Sequence, residues 1–249
     1  MRVVERILKL REKMGEHGID FYIVPTADFH QSEYVGEHFK ARAFITGFTG
    51  SAGTAVITTK EARLWTDGRY FVQAAGQLKD STVELMKMGE PGVPTLLEYL
   101  KNEFPENGVL GFDGRVVSMG DGKAYEEIVD KKHGKIIYDY DLIDAIWEDR
   151  PALSTEPVFE LEEKYTGESA ESKLGRIREE MKKNGTTAHV LTTLDDICWT
   201  LNIRGNDIDF FPLVLSYMII TLDKADLYVD ENKFSTELRG QLEKDGVVF

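Results

Sequence analysis

Apolar residues recur at helical spacing at Val3, Ile7, Leu10 and Met14, with arginine and glutamate between them. That pattern predicts an amphipathic helix, closed at His17-Gly18 because glycine commonly follows a helix end. Phe21 to Val24 is a short apolar strand stopped by Pro25, and a polar loop, Thr26 to Lys40, follows it. Ala52 to Thr58 and Arg63 to Thr66 are β-branched or apolar runs separated by the polar pair Lys60-Glu61, which predicts a β-hairpin. Gly47, Gly50 and Gly53 stud its entrance, where positive φ or close backbone approach is needed. Beyond the hairpin the pattern predicts a helix over 70–78, a strand over 83–88, a helix over 95–104 and a strand over 109–112. A helix over 118–132, N-capped by Ser118, and a strand over 136–138 complete the series. Helices and strands alternate, so the fold class is α/β; the hairpin makes the sheet mixed, flanked by helices.

The texture changes after Trp147, where proline, serine, threonine and glutamate dominate through Pro157. We expect two domains, 1–155 and 156–249. The second repeats the first. A charged helix over 169–184 ends at Gly185 as the first ends at Gly18, and the strand 188–191 corresponds to 21–24. Asp195 follows Gly185 at the distance at which Asp28 follows Gly18. Ile57, Ala62, Leu64 and Asp67 meet Ile220, Ala225, Leu227 and Asp230, all offset by 163, which predicts a duplicated hairpin. The second copy lacks the glycine hook and carries Asn232 where the first has Arg69. On the same offset Phe249 falls at Met86, so the second copy is expected to be incomplete and the chain to be a fragment. An unpaired strand edge at Val247-Val248-Phe249 would then favour self-association or domain swapping, and a homo-oligomer is expected.

A net charge of −14 argues against nucleic acid or an anionic membrane surface as partner, since phosphate binding needs concentrated lysine and arginine. No apolar run approaches the length of a membrane span. Cys198 is the single cysteine among 249 residues, so no intrachain disulfide forms. It sits in an apolar helical pattern and reads as core. These features, with a charged amphipathic amino terminus in place of a signal peptide, make the cytoplasm the expected compartment.

The hairpin segment GFTGSAGTAVIT, followed by LWTDGRYF, resembles the amino-terminal domain of Xaa-Pro aminopeptidases, in the creatinase and prolidase group. HQSEY (30–34), ELMKMG (84–89), IWEDRP (146–151), YTGES (165–169) and LDDICWTLNIRGNDI (194–208) fit the same family. The resemblance covers nearly the whole chain and implies a creatinase amino-terminal-like fold. It also implies a parent enzyme that removes the residue preceding proline by means of a metal pair, usually two manganese ions. The ligands of that pair lie in a carboxy-terminal catalytic domain that no segment here matches. The expectation is therefore a noncatalytic portion with no catalytic residue and no cofactor of its own. It would shape active-site access and subunit contacts for a peptide with proline second. The duplication points to the three-domain aminopeptidase type; prolidase and creatinase relatives, or a free-standing binding or oligomerisation module, are the alternatives.

The resemblance implies that Arg69 reaches substrate, and a guanidinium suits a peptide carboxylate or carbonyl. From the residues alone, a salt bridge to Asp67 or another acid is the favoured reading, with Asp67 shaping the turn or holding Arg69. His30, Glu33 and His38 are a minimal ligand set on a loop that nothing rigidifies, so surface histidines are the expected reading. Gly47, Gly50 and Gly53 lead into a strand and lack a following Lys-Ser/Thr, which excludes a phosphate loop. Trp65, Trp147 and Trp199 are expected in core or boundary packing, and Arg204 in an interdomain salt bridge.

Overall fold

The computed structural model describes residues 1–249. The chain divides into two compact units, Met1–Pro151 and Ala152–Phe249. The first unit runs α1 (Val3–His17), β1 (Phe21–Pro25), α2 (Ala41–Thr46), β2 (Thr54–Thr58), β3 (Ala62–Thr66) and α3 (Phe71–Gln77). It continues with β4 (Glu84–Lys87), α4 (Leu96–Glu103), β5 (Val109–Phe112), α5 (Met119–Lys131) and β6 (Lys135–Ile137). The sequence pattern does not foreshadow α2 as a helix; it is a six-residue turn and a half, too short for periodicity to show.

Six strands form one mixed sheet in the order β4-β3-β2-β1-β5-β6. β1, β2 and β3 are antiparallel neighbours, and β4, β5 and β6 join in parallel. Strand alternation sends side chains to two cores. Tyr22, Val24, Ala55, Ile57 and Leu64 pack with Ile7, Leu10 and Met14 of α1 on one face. On the other, Phe21, Ile23, Val56, Trp65 and Met86 pack with Tyr99 and Leu100 of α4 and Tyr125, Ile128 and Val129 of α5. Helix ends obey local rules: Gly18 takes φ +64° after α1, and Ser118 Oγ accepts the Asp121 N–H at 3.1 Å to start α5.

The second unit contains β7 (Phe159–Glu160), α6 (Glu163–Thr166), α7 (Ala170–Lys183), β8 (Ala188–Leu191) and α8 (Leu194–Leu201). After these come β9 (Ile203–Arg204), β10 (Tyr217–Thr221), β11 (Ala225–Tyr228), α9 (Thr236–Lys244) and β12 (Val247–Val248). Its main sheet has four strands in the order β12-β11-β10-β8, with β7 and β9 paired apart. β8, β10, β11 and β12 take the places and directions of β1, β2, β3 and β4. Ile220 faces Ala225 as Ile57 faces Ala62, so the duplicated hairpin keeps its register. One core lies between this sheet and α7, α8 and α9, with Leu174, Met181, Ile197, Leu201, Leu238 and Leu242 against Met218, Ile220 and Leu227.

One expectation needs correcting. Asp226 faces Val248 where Arg63 faces Glu84, so the offset has grown to 164 at the last strand and Phe249 falls at Leu85, not Met86. Asp28 and Asp195 hold matching sequence positions in different surroundings: Asp28 is a buried loop residue whose Oδ1 accepts the N–H groups of His30 and Ser32, whereas Asp195 lies exposed in α8. β12 pairs with β11 alone, at the same sheet edge as β4; the other edge of this sheet is β8, whereas β1 pairs with both β2 and β5.

Candidate functional site

The chain leaves β3 through Asp67, whose Oδ1 accepts the Arg69 N–H at 3.0 Å and caps a single 3-10 turn over Gly68–Tyr70. Arg69 folds back on this residue. Its Nε donates to Asp67 Oδ1 and its Nη2 to Oδ2, both at 2.9 Å. These hydrogen bonds hold the Asp67 carboxyl below the usual carboxylate range and raise the guanidinium pKa, and Glu33 adds to the negative field on Arg69. The Arg69 side chain remains 63% exposed. Its outer N–H groups are thus available to a carboxylate or carbonyl while the inner edge stays tied.

The same geometry recurs at the end of β5. In Asp113-Gly114-Arg115, Asp113 accepts the Arg115 N–H at 3.0 Å, and the guanidinium makes the same paired contacts at 2.9 and 3.0 Å. An Asp-Gly-Arg tripeptide after a strand therefore builds this pair by local geometry alone. What separates the two is the surroundings. Arg115 is drawn on to Asp141 at 3.3 Å, and Asp141 is bound in turn by Arg150, whose side chain is largely enclosed. Arg69 has Asp67 as its one ion-pair partner.

Behind Arg69 stands the glycine hook. Gly47 ends α2 with φ +78°. A Cβ on Gly50 would lie 2.3 Å from Phe48 Cζ and 2.7 Å from Tyr70 Cδ1, so the bare backbone is what lets the two rings close over it. Tyr70 carries the Arg69 guanidinium 5.1 Å from its ring centroid and shares a hydrogen bond of 2.6 Å with Ser51 Oγ. Gln77 of α3 clamps the tip, accepting the Thr49 N–H at 3.0 Å and donating to Thr49 Oγ1 at 2.8 Å.

Arg42 was not singled out by the sequence pattern and holds the hook from inside. It is 3% exposed, donates to Thr26 Oγ1 at 2.9 Å and to the carbonyls of Phe48 and Gly50, and lies over the Phe48 ring. Burial without a carboxylate partner pulls its pKa down to about 10, which leaves it charged at neutral pH. The only sequence cue was a charge inside the otherwise apolar stretch Ala41–Thr46.

Several candidates resolve differently from expectation. The His30 side chain is 4% exposed, with Nδ1 3.8 Å from Asp28 Oδ2, so it is no surface histidine. His38 Nδ1 lies 2.8 Å from the Pro151 carbonyl. These rings are committed to separate partners, and no group of three His, Cys, Asp or Glu side chains in this chain is arranged to hold a metal ion. The residues present do not fit a metal pair. Cys198 is buried and its thiol is pushed up to about 11 by that burial, which makes it a poor nucleophile. Arg204 donates to the carbonyls of Cys198 and Ile203 within its own unit and not to a carboxylate. Trp65 is buried and Trp147 stacks on Phe44, but Trp199 is 47% exposed under the Lys173 ammonium. No helix is long and apolar enough to cross a membrane.

Two helical layers on a mixed six-stranded sheet, with a second sheet of matching register, define a known class of domain. Two profiles of the creatinase/prolidase N-terminal domain match residues 6–143 and 149–249, and the chain belongs to this family. Among relatives, it is 40% identical to the probable Xaa-Pro aminopeptidase P of Laccaria bicolor, over 98% of this chain and 38% of that protein. It is 40% identical to aminopeptidase P2 of Arabidopsis thaliana, over 98% of this chain and 35% of that one. A solved X-prolyl aminopeptidase from Caenorhabditis elegans, described as a cytosolic enzyme with a di-nuclear active site, superposes with a TM-score of 0.92 at 33% identity. That match takes in 99% of this chain and 42% of the other. The chain thus spans about two fifths of the length of these relatives.

Proposed function

We propose that this chain is the amino-terminal, noncatalytic region of an Xaa-Pro aminopeptidase. The observation that carries the reading is the superposition of nearly the whole chain on two fifths of the C. elegans enzyme. The di-nuclear centre of that enzyme needs a donor set that this chain does not supply. In the reading, manganese belongs to the remainder of the parent, the substrate is a peptide with proline second, and the compartment is the cytoplasm, as described for the relative. Residues 1–155 form one domain and 156–249 belong to a second, homologous one; together they narrow access to the active site and supply subunit contacts. Arg69 offers its outer N–H groups to the peptide while Asp67 and Tyr70 fix its direction.

The test is a chimera in which this chain replaces the matching portion of the C. elegans enzyme. The 249-residue chain alone, given manganese and a tripeptide with proline second, should show no turnover and no bound metal. The chimera should cleave the peptide. In it, Arg69→Ala should lower kcat/KM about ten- to a hundredfold, the loss of one charge-assisted hydrogen bond of about 1.5–3 kcal/mol. Turnover with stoichiometric metal by the chain alone would overturn the noncatalytic reading. An active chimera indifferent to Arg69→Ala would remove the substrate role of Arg69.

A further inference from the structure

Phe210 carries two costs with no return inside this chain. Its side chain is wholly exposed to solvent, and its backbone takes φ +61°. Other non-glycine residues with positive φ, such as Gln31, Asn107 and Asn202, are polar; Phe210 is the one large apolar side chain among them. A bulky residue is disfavoured in this region because its Cβ crowds a neighbouring carbonyl oxygen. Packing of the ring would ordinarily offset that cost, but here the ring gains no burial. Such outliers persist where the surrounding structure holds them, and they gather at sites that contact a ligand.

The loop beneath Phe210 is firmly built. Ile208 is buried and bridges to Phe211, whose N–H donates to the Ile208 carbonyl at 3.1 Å. The Asp207 N–H donates to the Leu213 carbonyl at 3.3 Å. The Asp207 carboxylate accepts the Leu215 N–H at 2.7 Å and lies buried against the Lys233 ammonium. A Cβ on Gly205 would stand 2.8 Å from Val214 Cγ2, so the two arms of the loop close over bare backbone. Phe210 is therefore held at the tip from both sides. The loop is also an addition to the duplicated fold: residues 47–53 join α2 to β2 in the first unit, whereas residues 202–216 join α8 to β10 in the second.

We propose that Phe210 is a specificity residue for the substrate peptide, with the face of its ring laid against the proline ring. The assignment rests on the reading of this chain as part of an Xaa-Pro aminopeptidase. An aromatic face is electron-rich, and the proline ring hydrogens beside the amide nitrogen are electron-poor, which is why aromatic side chains receive proline segments. A ring on a rigid loop gives up little conformational freedom on binding, so more of the contact appears as affinity. The neighbours of Phe210 in the loop, Asn206 and Asp209, are exposed and polar. A single ring with polar neighbours suits a small ligand. A stable protein interface covers about 800 Å² on each partner around an apolar centre.

The experiment compares Phe210→Gly and Phe210→Tyr in the 249-residue chain and in the chimera with the C. elegans enzyme. In the chain, Phe210→Gly should leave the melting temperature unchanged or higher, since the strain released offsets the added freedom of the unfolded chain. In the chimera it should raise KM for a tripeptide with proline second about tenfold, with kcat changed less than about twofold, the pattern of lost binding. Phe210→Tyr keeps the ring and should keep KM within about twofold. An active chimera whose KM ignores Phe210→Gly would overturn this assignment and leave the aminopeptidase reading standing. A chimera without turnover while Phe210 is intact would overturn that reading, and this assignment with it. A lower melting temperature of the Phe210→Gly chain would show that the ring packs within its own unit. A chimera that loses thermal stability and kcat where the chain does not would place the ring against the rest of the enzyme. Either result would also overturn the assignment.

Discussion

The two hairpins share one register and part company immediately after it. Asp67 and Asp230 both cap a 3-10 turn by accepting the N–H two residues on, at 3.0 and 3.1 Å. In the first unit the residue so held is Arg69, whose guanidinium stays largely exposed; in the second it is Asn232, whose Nδ2 donates back to Asp230 at 2.9 Å. One position further, Tyr70 shares a hydrogen bond with Ser51 in the hook, while Lys233 is buried against Asp207, with side chains 2% and 0% exposed. The backbone frame was kept in both copies. In one, the space behind the turn became a glycine hook held by a buried arginine; in the other it became a lysine–aspartate pair. The difference teaches that the cap is generic and that chemistry was decided by what fills the space behind it.

That comparison can be broken most forcefully at residue 233. Lys233→Met removes the only cation from Asp207, whose Oδ2 otherwise accepts the Leu215 N–H at 2.7 Å. Leaving a carboxylate buried without its partner should cost about 3–5 kcal/mol. Tyr70→Phe removes one hydroxyl and should cost about 1 kcal/mol. Hydrogen exchange of the two sheets reads each unit separately. Equal losses from the two substitutions would mean that the two fillings are energetically interchangeable, contrary to this account.

Much of the frame was legible because it rests on periodicity. The 163-residue offset gave the duplicated hairpin, and the observed pairs Ile57–Ala62 and Ile220–Ala225 share that register. Helix ends at Gly18 and Ser118 were legible from local chemistry. What escaped is what depends on contacts distant in sequence or on an irregular path. Arg42 is a single charge in a short, mostly apolar stretch, and its partners are mainly backbone carbonyls, which leave no residue signature. His30 is buried by a loop turned inward around Asp28, a path no pattern announces. Trp199 was expected to be packed because tryptophan usually is, yet it lines an open groove. For Arg69 the residues alone suggested the salt bridge to Asp67, which the structure contains, and Arg115 shows that such a pair forms wherever this tripeptide follows a strand.

A milder test uses a glycine that both copies keep. Gly76 lies in α3 and Gly240 in α9, and a Cβ on either meets nothing within 4 Å. Alanine should therefore relieve backbone entropy without a clash. Gly240→Ala, mid-helix, should stabilise the second unit by about 0.5–1 kcal/mol, and Gly76→Ala, near a helix end, should stabilise the first by less. Urea unfolding with unit-resolved exchange would measure both. Destabilisation by Gly240→Ala would mean that α9 needs a glycine for its path, and the match between α3 and α9 would lose its meaning.

The smallest effect expected concerns acid. At the start of α7, Glu168 accepts from Arg176 Nε and Nη2 at 2.8 and 2.6 Å and from Ser172 Oγ at 2.7 Å. At the start of α1, Glu5 accepts from the Arg2 backbone and side chain, both at 2.9 Å. Both carboxyls are lowered, Glu168 to about 2, chiefly by the Arg176 hydrogen bonds, and Glu5 chiefly by the Arg2 backbone. A carboxyl with a depressed folded pKa contributes stability that is present above its unfolded value, about 4.3, and is lost as pH falls through the folded value. The second unit should therefore lose this contribution progressively between pH 4.5 and pH 2. Glu168→Gln removes the titrating group and should flatten that part of the curve, while Glu5→Gln acts in the same direction on the first unit. Because both groups are partly exposed to solvent, salt screens the effect, and the flattening should shrink at high ionic strength. An unchanged acid limb in Glu168→Gln at low salt would show that the Glu168–Arg176 pair does not persist in solution, and the two helix starts would then differ in kind and not only in degree.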